Sequence, residues 1–278
     1  MDYKIVADSC CDLSPELKKE WGVTSVPLTL TLGDKHFTDD ETLDLPGYMQ
    51  EMKQYKGRIG SASPAPQLYK EAFEGEHTSF AVTLSENLSG SYNSAMLGKS
   101  MAEEEGGAAD VHVFNSKSAS AGEVLIVLKI RKLINEGLQK SEIIAYIERF
   151  IEDMKTYFVI DNVDNLMKNG RLNKITGNLI SVLGIKPIMG ADDDGNIALF
   201  SHARGYAKII ERLAGTIKAS GKNTEGESMV ITHCNNPGLA ERLMNAIKER
   251  YQFKEVLVYP TKGLSSMYVN DQGVIMAF

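Results

Sequence analysis

Hydrophobic positions along this chain alternate between two periods. Short apolar runs of four to eight residues read as strands, and longer stretches with apolar residues three and four apart read as helices. KIVADS (4–9) predicts a first strand. SPELKKEWG (14–22) predicts a helix with Ser14 as N-cap, Pro15 at the first position and Gly22 as stop. SVPLTLTL (25–32) reads as one extended segment, at a sheet edge because of Pro27. Helices are expected at 46–53 and near 65–74, then a strand SFAVTLS (79–85), a helix over 89–105, a strand DVHVFNS (110–116) and a long helix over 119–136. This alternation argues for a parallel sheet covered on both faces.

Ser141 is the expected cap of a further helix running to about 155, and YFVID (157–161) opens a second unit. There the pattern changes. Residues 185–205 read as a β-hairpin with its turn at 192–196. Helices over 207–219 and 237–251 alternate with strands at 227–234 and 255–260, and GVIMAF ends the chain as a strand. The expected fold class is α/β with two domains. Residues 1–157 form a largely parallel sheet flanked by helices, and residues 158–278 a mixed α/β domain with the hairpin.

A chain of 278 residues is long enough for two ordinary cores. A net charge of −7, with no Lys/Arg run, disfavours nucleic acid and anionic membrane surfaces as partners. MDYKIVAD enters a strand without a basic segment and long apolar stretch, so no secretory signal is expected. No run approaches ~18 uncharged apolar residues, so no membrane insertion is expected either. Three cysteines, Cys10, Cys11 and Cys234, fit a reducing, cytoplasmic setting and read as ordinary buried thiols.

Motifs for familiar chemistry do not fit. No GxGxxG follows a strand, and there is no GxSxG or HExxH. Gly215 to Lys222 imitates a P-loop only loosely, with Asn223 where Ser or Thr is needed. Asp192, Asp193 and Asp194 lack the alternating ligands and distal Glu of a calcium loop, so no metal is expected. His233 ends a strand at a rim position.

The informative segments are IGSASPAPQLYK (59–70), LSENLSGSYNSA (84–95) and VFNSKSASAG (113–122). Each gathers small hydroxyl residues and glycine near a strand end and ahead of a helix. Ligands of open α/β sheets bind outside the carboxyl ends of strands, and helix N-termini there favour anions. These segments have no adjacent His or Lys to activate a serine, so a cradle for a small oxyanion is the expected chemistry. A Ser-dependent acyl hydrolase or transferase using Ser89 is the rival. KNGRLNK (168–174) offers Arg171, and Arg204 follows the hairpin. Residues 175–189 are apolar and glycine-punctuated, as core or as a cavity wall.

In order along the chain, VADSCCDL, SASPAP, LSGSYNSA, VFNSKSAS, LMKNGRL and LGIKPIM resemble the motifs of the DegV family of bacterial fatty-acid-binding proteins. The resemblance covers essentially the whole chain. It implies two α/β domains with one long-chain fatty acid, of the palmitate type, between them and no cofactor. The carboxylate would be held by Ser61, Ser89 and Tyr268, with Ala62, Ser63, Gly90, Ser91 and Ser116 supporting the loops. The tail would run along Ile175, Leu179, Ile180, Leu183 and Ile188. Arg171 and Arg204 would stand at the cleft mouth and serve a phosphoryl step. The protein would be a carrier rather than a catalyst, presenting its ligand to a separate fatty acid kinase. Two departures stand out: Ala62 removes a hydroxyl from the first loop, and Tyr268 stands where the family has His. A phenol donates one hydrogen bond but carries no positive charge at pH 7.

Overall fold

The structure is a computed structural model that describes residues 3–75, 77–104, 110–172 and 184–278. Strand β1 (Tyr3–Asp8) leads into helix α1 (Pro15–Trp21), which begins and ends as its sequence predicts. Ser14 accepts from the Leu17 N–H, and Gly22 adopts φ +65° to close the helix. The extended segment that follows is two strands rather than one. β2 (Thr24–Val26) pairs with β1, whereas β3 (Thr29–Leu32) joins a separate antiparallel sheet. The break falls at Pro27, which has no N–H for a ladder. Val26 O accepts from Ser9 N, and Leu28 N donates to Ser9 Oγ, so the crossing between sheets is pinned on both sides.

β3 pairs with β4 (Lys35–Thr38) and, after helix α2 (Leu45–Gln54), with β5 (Ile59–Ala62). Leu30 and Leu32 on this small sheet bury against Tyr48 and Met52 of α2. Helix α3 (Pro66–Phe73), strand β6 (Thr78–Thr83), helix α4 (Ser91–Glu104) and strand β7 (Val111–Asn115) complete a four-stranded parallel sheet, β2-β1-β6-β7. α4 starts two residues later than expected, because Ser89 Oγ accepts from Ser91 N and acts outside the helix.

Helix α5 (Ala121–Asn135) is followed by α6 (Lys140–Asp153). α6 begins at a Gln139–Glu142 pair, whose Glu142 carboxylate accepts from Gln139 N, and not at Ser141. The second sheet comprises β8 (Thr156–Val159), helix α7 (Asp164–Lys168) beyond it, β9 (Ile185–Ala191), β10 (Ile197–Arg204), helix α8 (Tyr206–Ser220), β11 (Ser228–His233), helix α9 (Pro237–Lys248), β12 (Glu255–Pro260), helix α10 (Gly263–Val269) and β13 (Val274–Ala277). Its strand order is β10-β9-β8-β13-β11-β12, mixed in direction. The α/β class with a parallel first sheet, and a mixed second sheet carrying the hairpin, is thus the observed architecture.

α5 explains how the two sheets meet. Ten of its residues are buried. One core cluster contains Ile5 and Phe80 of the first sheet, Val124 and Ile130 of α5, and Phe158, Val230 and Ile275 of the second. The first two turns of α5 are buried on every side and so must be enclosed, and α5 is the layer shared by both sheets. α3 and α4 cover the far face of the first sheet, and α8 and α9 the far face of the second.

Candidate functional site

The strand ends of the first sheet, the edge of the small sheet and the near face of the second sheet converge on a cavity of about 330 Å³. Its volume lies in the range of ligand pockets. Aliphatic and aromatic side chains dominate the walls: Leu28, Leu84 and Leu88 from one side, Phe158, Ile197 and Ile275 from the other, with Leu166, Leu264 and Val269. The loops after β6 and β7 leave strands whose register is fixed by parallel pairing to β1 and to each other. Their Ser-rich ends are therefore held at a common level.

Ser61, Ala62, Ser63, Ser89, Gly90, Arg171 and Tyr268 all line this one cavity. Ser61 sits on β5 and its Oγ lies 2.9 Å from the Tyr268 phenol on α10, 207 residues away. The Arg171 guanidinium stands 5.9 Å from the Tyr268 ring centroid. Its Nε donates to Leu88 O at 3.1 Å and its Nη1 to Asn169 O at 2.6 Å. Those two bonds leave donors of the five on the fork available. A Cβ on Gly90 would sit 3.1 Å from Ser63 Oγ, so glycine lets the two hydroxyl loops approach. Arg171 is the one charged residue among the described lining residues.

Ser91 and Ser116 lie behind the cavity rather than on it. Ser91 is buried, and its Oγ is 2.6 Å from both Asp8 Oδ2 and the Tyr69 phenol. Ser116 Oγ donates to Ser118 O and accepts from Ser118 N, which folds the loop back on itself. Arg204 is exposed at the end of β10 and does not line the cavity. Ile188 does not line it either. Strand alternation turns Ile188 toward α8 and α9, while Met189 faces the shared core. Ile175, Leu179, Ile180 and Leu183 lie outside the described residues. His233 is away from the cavity; its Nδ1 accepts from Asn236 N, and burial lowers its pKa.

Sequence reading missed a buried acidic layer beneath the cavity. Asp8, Asp12, Asp39 and Glu123 are all buried. Asp8 accepts from Leu84 N and Ser91 Oγ; burial pushes its pKa up, and these bonds oppose the shift. Glu123, in the first turn of α5, is pushed well above the carboxylate range by burial and by the charge of Asp8. Asp12 accepts from Ser120 Oγ and Lys262 N, and Asp39 from Ser9 Oγ and Leu264 N. Burial pushes both up to about 6. Cys10 lines the cavity with its Sγ 3.6 Å from Ser265 Oγ, and burial raises its pKa well above the usual thiol value. Such a thiol is an inert wall group. Asp8 and Asp12 fall in the family-like VADSCCDL segment, which was the available signal; nothing local marks Asp39 or Glu123, because their burial comes from contacts between distant segments.

Chemically, the site offers hydroxyl donors, a phenol and one guanidinium at an apolar chamber. None of the described lining residues is a His or Lys, and Ser89 Oγ is engaged as acceptor of a backbone N–H. Among the described residues, no cluster of three or more His, Cys, Asp or Glu is placed to hold a metal ion. No helix among them is long and apolar enough to cross a membrane.

The family described as "Uncharacterised protein, DegV family" matches residues 2–274. A DegV domain-containing protein of Streptococcus pyogenes serotype M18 is 35% identical over 280 residues, covering 100% of this chain and 99% of the relative. A DegV family protein from Ruminococcus gnavus, solved with vaccenic acid, is 38% identical with a TM-score of 0.95, covering 99% of both chains. The Fatty Acid Kinase (Fak) B3 protein of Streptococcus pneumoniae, loaded with linoleic acid, is 35% identical with a TM-score of 0.93, covering 100% of this chain and 99% of that one. A DegV family protein from Eubacterium eligens, loaded with heptadecanoic acid, is 30% identical with a TM-score of 0.92, covering 99% and 98%.

Proposed function

We infer, from the premise that this chain belongs to the DegV family, that it binds one long-chain fatty acid in the cavity between its sheets and acts as a carrier. The observation that carries this reading is the make-up of the cavity. Ser61, Ser63, Ser89, Tyr268 and Arg171 stand on a chamber whose remaining walls are mainly apolar. A carboxylate leaving water needs several donors or a cation, and this set supplies both. About fifteen methylenes at ~0.8 kcal/mol each give a gross gain on the order of 12 kcal/mol, part of which immobilisation offsets. Fatty acids in the R. gnavus, E. eligens and S. pneumoniae relatives support the same ligand class.

The finer part of the reading is delivery to a separate kinase that forms an acyl phosphate. The pneumococcal relative's fatty acid kinase name supports it. Arg204, exposed and off the cavity, is the residue for that encounter. Arg171 has two duties, bracing Leu88 and facing Tyr268. Native mass spectrometry of the purified protein, with the released ligand identified, tests the binding reading. A fatty acid at one per chain is expected, and an empty protein that turns over acyl esters would overturn it. Ser89→Ala should weaken binding roughly tenfold to a hundredfold, since a hydrogen bond to a charged group is worth ~1.5–3 kcal/mol. Arg204→Ala should keep its lipid yet lower the kinase rate tenfold or more, a phosphoryl group needing cationic neutralisation. Arg171→Ala should impair both. Equal lipid loss in both variants would refute this division.

A further inference from the structure

We propose that the β9–β10 turn, residues 192–196, is a latch on the cavity whose release sets the rate of ligand entry and exit; this rests on the fatty-acid reading above. The turn projects beyond the anchored part of the hairpin. β9 pairs with β10 from Ile185–Arg204 to Ala191–Ile197 and with β8 through Ile188, Met189 and Gly190, so the turn lies just past the last residue that β8 holds. β10 is the edge strand of its sheet, and its ladder is interrupted by a bulge between Leu199 and Ser201. Bulges bend a strand and locally disrupt its ladder. The turn is braced internally, because the Asp192 carboxylate accepts the N–H groups of Asp194 and Asn196.

Two hydrogen bonds fasten the turn to the opposite side of the cavity. Ser85 Oγ donates to Gly195 O at 2.9 Å, and Asn87 Nδ2 donates to Asp194 O at 2.8 Å. Both donors belong to the loop that carries Ser89, and both acceptors are backbone carbonyls of the turn. Gly195 has φ +78°, and a Cβ there would lie 2.6 Å from Ser85 Oγ and 2.8 Å from Lys117 Cα. Only glycine permits that approach. Ala191, Gly195, Asn196 and Ile197 of the hairpin line the same cavity as Leu88 and Ser89 of the loop. Parting turn from loop therefore opens the cavity wall directly.

Two neutral hydrogen bonds bias the closed state by roughly tenfold to a hundredfold, which keeps the open state a minor but accessible population. The latch joins two side-chain donors to backbone carbonyls and uses none of the proposed carboxylate-binding side chains. Its loss should then speed loading and release by the same factor and leave the equilibrium unmoved. A wall residue that merely contacts ligand would instead change Kd.

The test is stopped-flow uptake and release of a fluorescent long-chain fatty acid by the full-length protein and its Ser85→Ala/Asn87→Ala variant. Both rates should rise about tenfold or more while Kd changes less than about threefold. Unchanged rates would overturn the latch, and so would a faster release with unchanged uptake. Should the double variant fail to fold, Asn87→Ala, at an exposed side chain, carries the test with a rise of about threefold to tenfold in both rates. Wild-type protein that takes up no fatty acid would overturn the binding reading itself, and that result is separate from any comparison of variants.

Discussion

Asp12 and Asp39 bind segments that are more than two hundred residues apart. Asp12 Oδ1 accepts from Lys262 N and Asp39 Oδ2 from Leu264 N, so two buried carboxylates fix the start of α10, the helix that carries Tyr268 to Ser61. Both are pushed up to about 6 by burial, against ~3.9 in an unfolded chain. A raised folded-state pKa means the native state binds the proton more tightly. The associated stability is present in full below about pH 4 and is lost as pH rises through about 6. A two-unit shift corresponds to on the order of 2–3 kcal/mol. Urea unfolding of wild type and Asp39→Asn between pH 4 and pH 7 measures it. Wild type should lose ground against the variant by about that much as pH rises, and a pH-independent difference would mean that Asp39 does not titrate in this window. At this scale Ser61, Ser63, Ser89 and Arg171 stood out because small hydroxyl loops and a Gly-Arg turn are local patterns, whereas Tyr268 was reached only through the family resemblance. The sequence did not show the burial of the acids beneath them, nor the cavity-lining role of Phe158, Ile197 and Ile275, because both depend on which distant segments meet.

Helices with punctuation were legible and those without were not. α1 carries Ser, Pro and Gly at its ends. α10 (GLSSMYV) has neither a side-chain cap nor an apolar period, and burial of nearly every residue in it comes from packing between α2, α7 and the cavity. The split of the 25–32 segment into two sheets was likewise hidden, since Pro27 reads equally as an edge strand or a crossing. Gly98 shows how an unremarkable helical glycine becomes structural. A Cβ there would lie 2.6 Å from Pro66 O and 2.7 Å from Tyr69 Cβ, where α3 and α4 cross. The nearest obstacle is backbone, so the helices must part. Gly98→Ala should lower stability by about 1–3 kcal/mol despite the better helix propensity of alanine. Chemical denaturation checks the sign: a stabilised variant would mean that the α3–α4 contact yields freely. Because α4 starts at the Ser89–Ser91 turn, fatty-acid affinity should fall in the same variant.

On the scale of the whole molecule, the division at residues 157 and 158 is a proposal that α5 puts to a severe test. α5 belongs by sequence to the first part, yet Val230, Ile275 and Ala277 of the second sheet share its core cluster with Ile5 and Phe80 of the first. Lys129 on α5 pairs with Glu227, just ahead of β11, and Ser120 Oγ, ahead of α5, lies 2.7 Å from Thr232 Oγ1. Separated halves would each present one face of this shared layer to water, an apolar patch far beyond what monomers tolerate. β8 (Thr156–Val159) already belongs to the second sheet, so the boundary moves ahead of it, and we expect residues 1–155 and 156–278 to be two structural units of one folding unit. Expressed alone, each half should be aggregated or loosely packed, with poor dispersion in its NMR spectrum. Expressed together, they should associate, regain cooperative unfolding and recover fatty-acid binding, since the cavity draws its walls from both. A first half that folds cooperatively by itself would show that the shared layer is an interface between independent domains. The ligand would then be expected to act as a clamp between them, raising the unfolding midpoint of the intact chain in proportion to the logarithm of its free concentration.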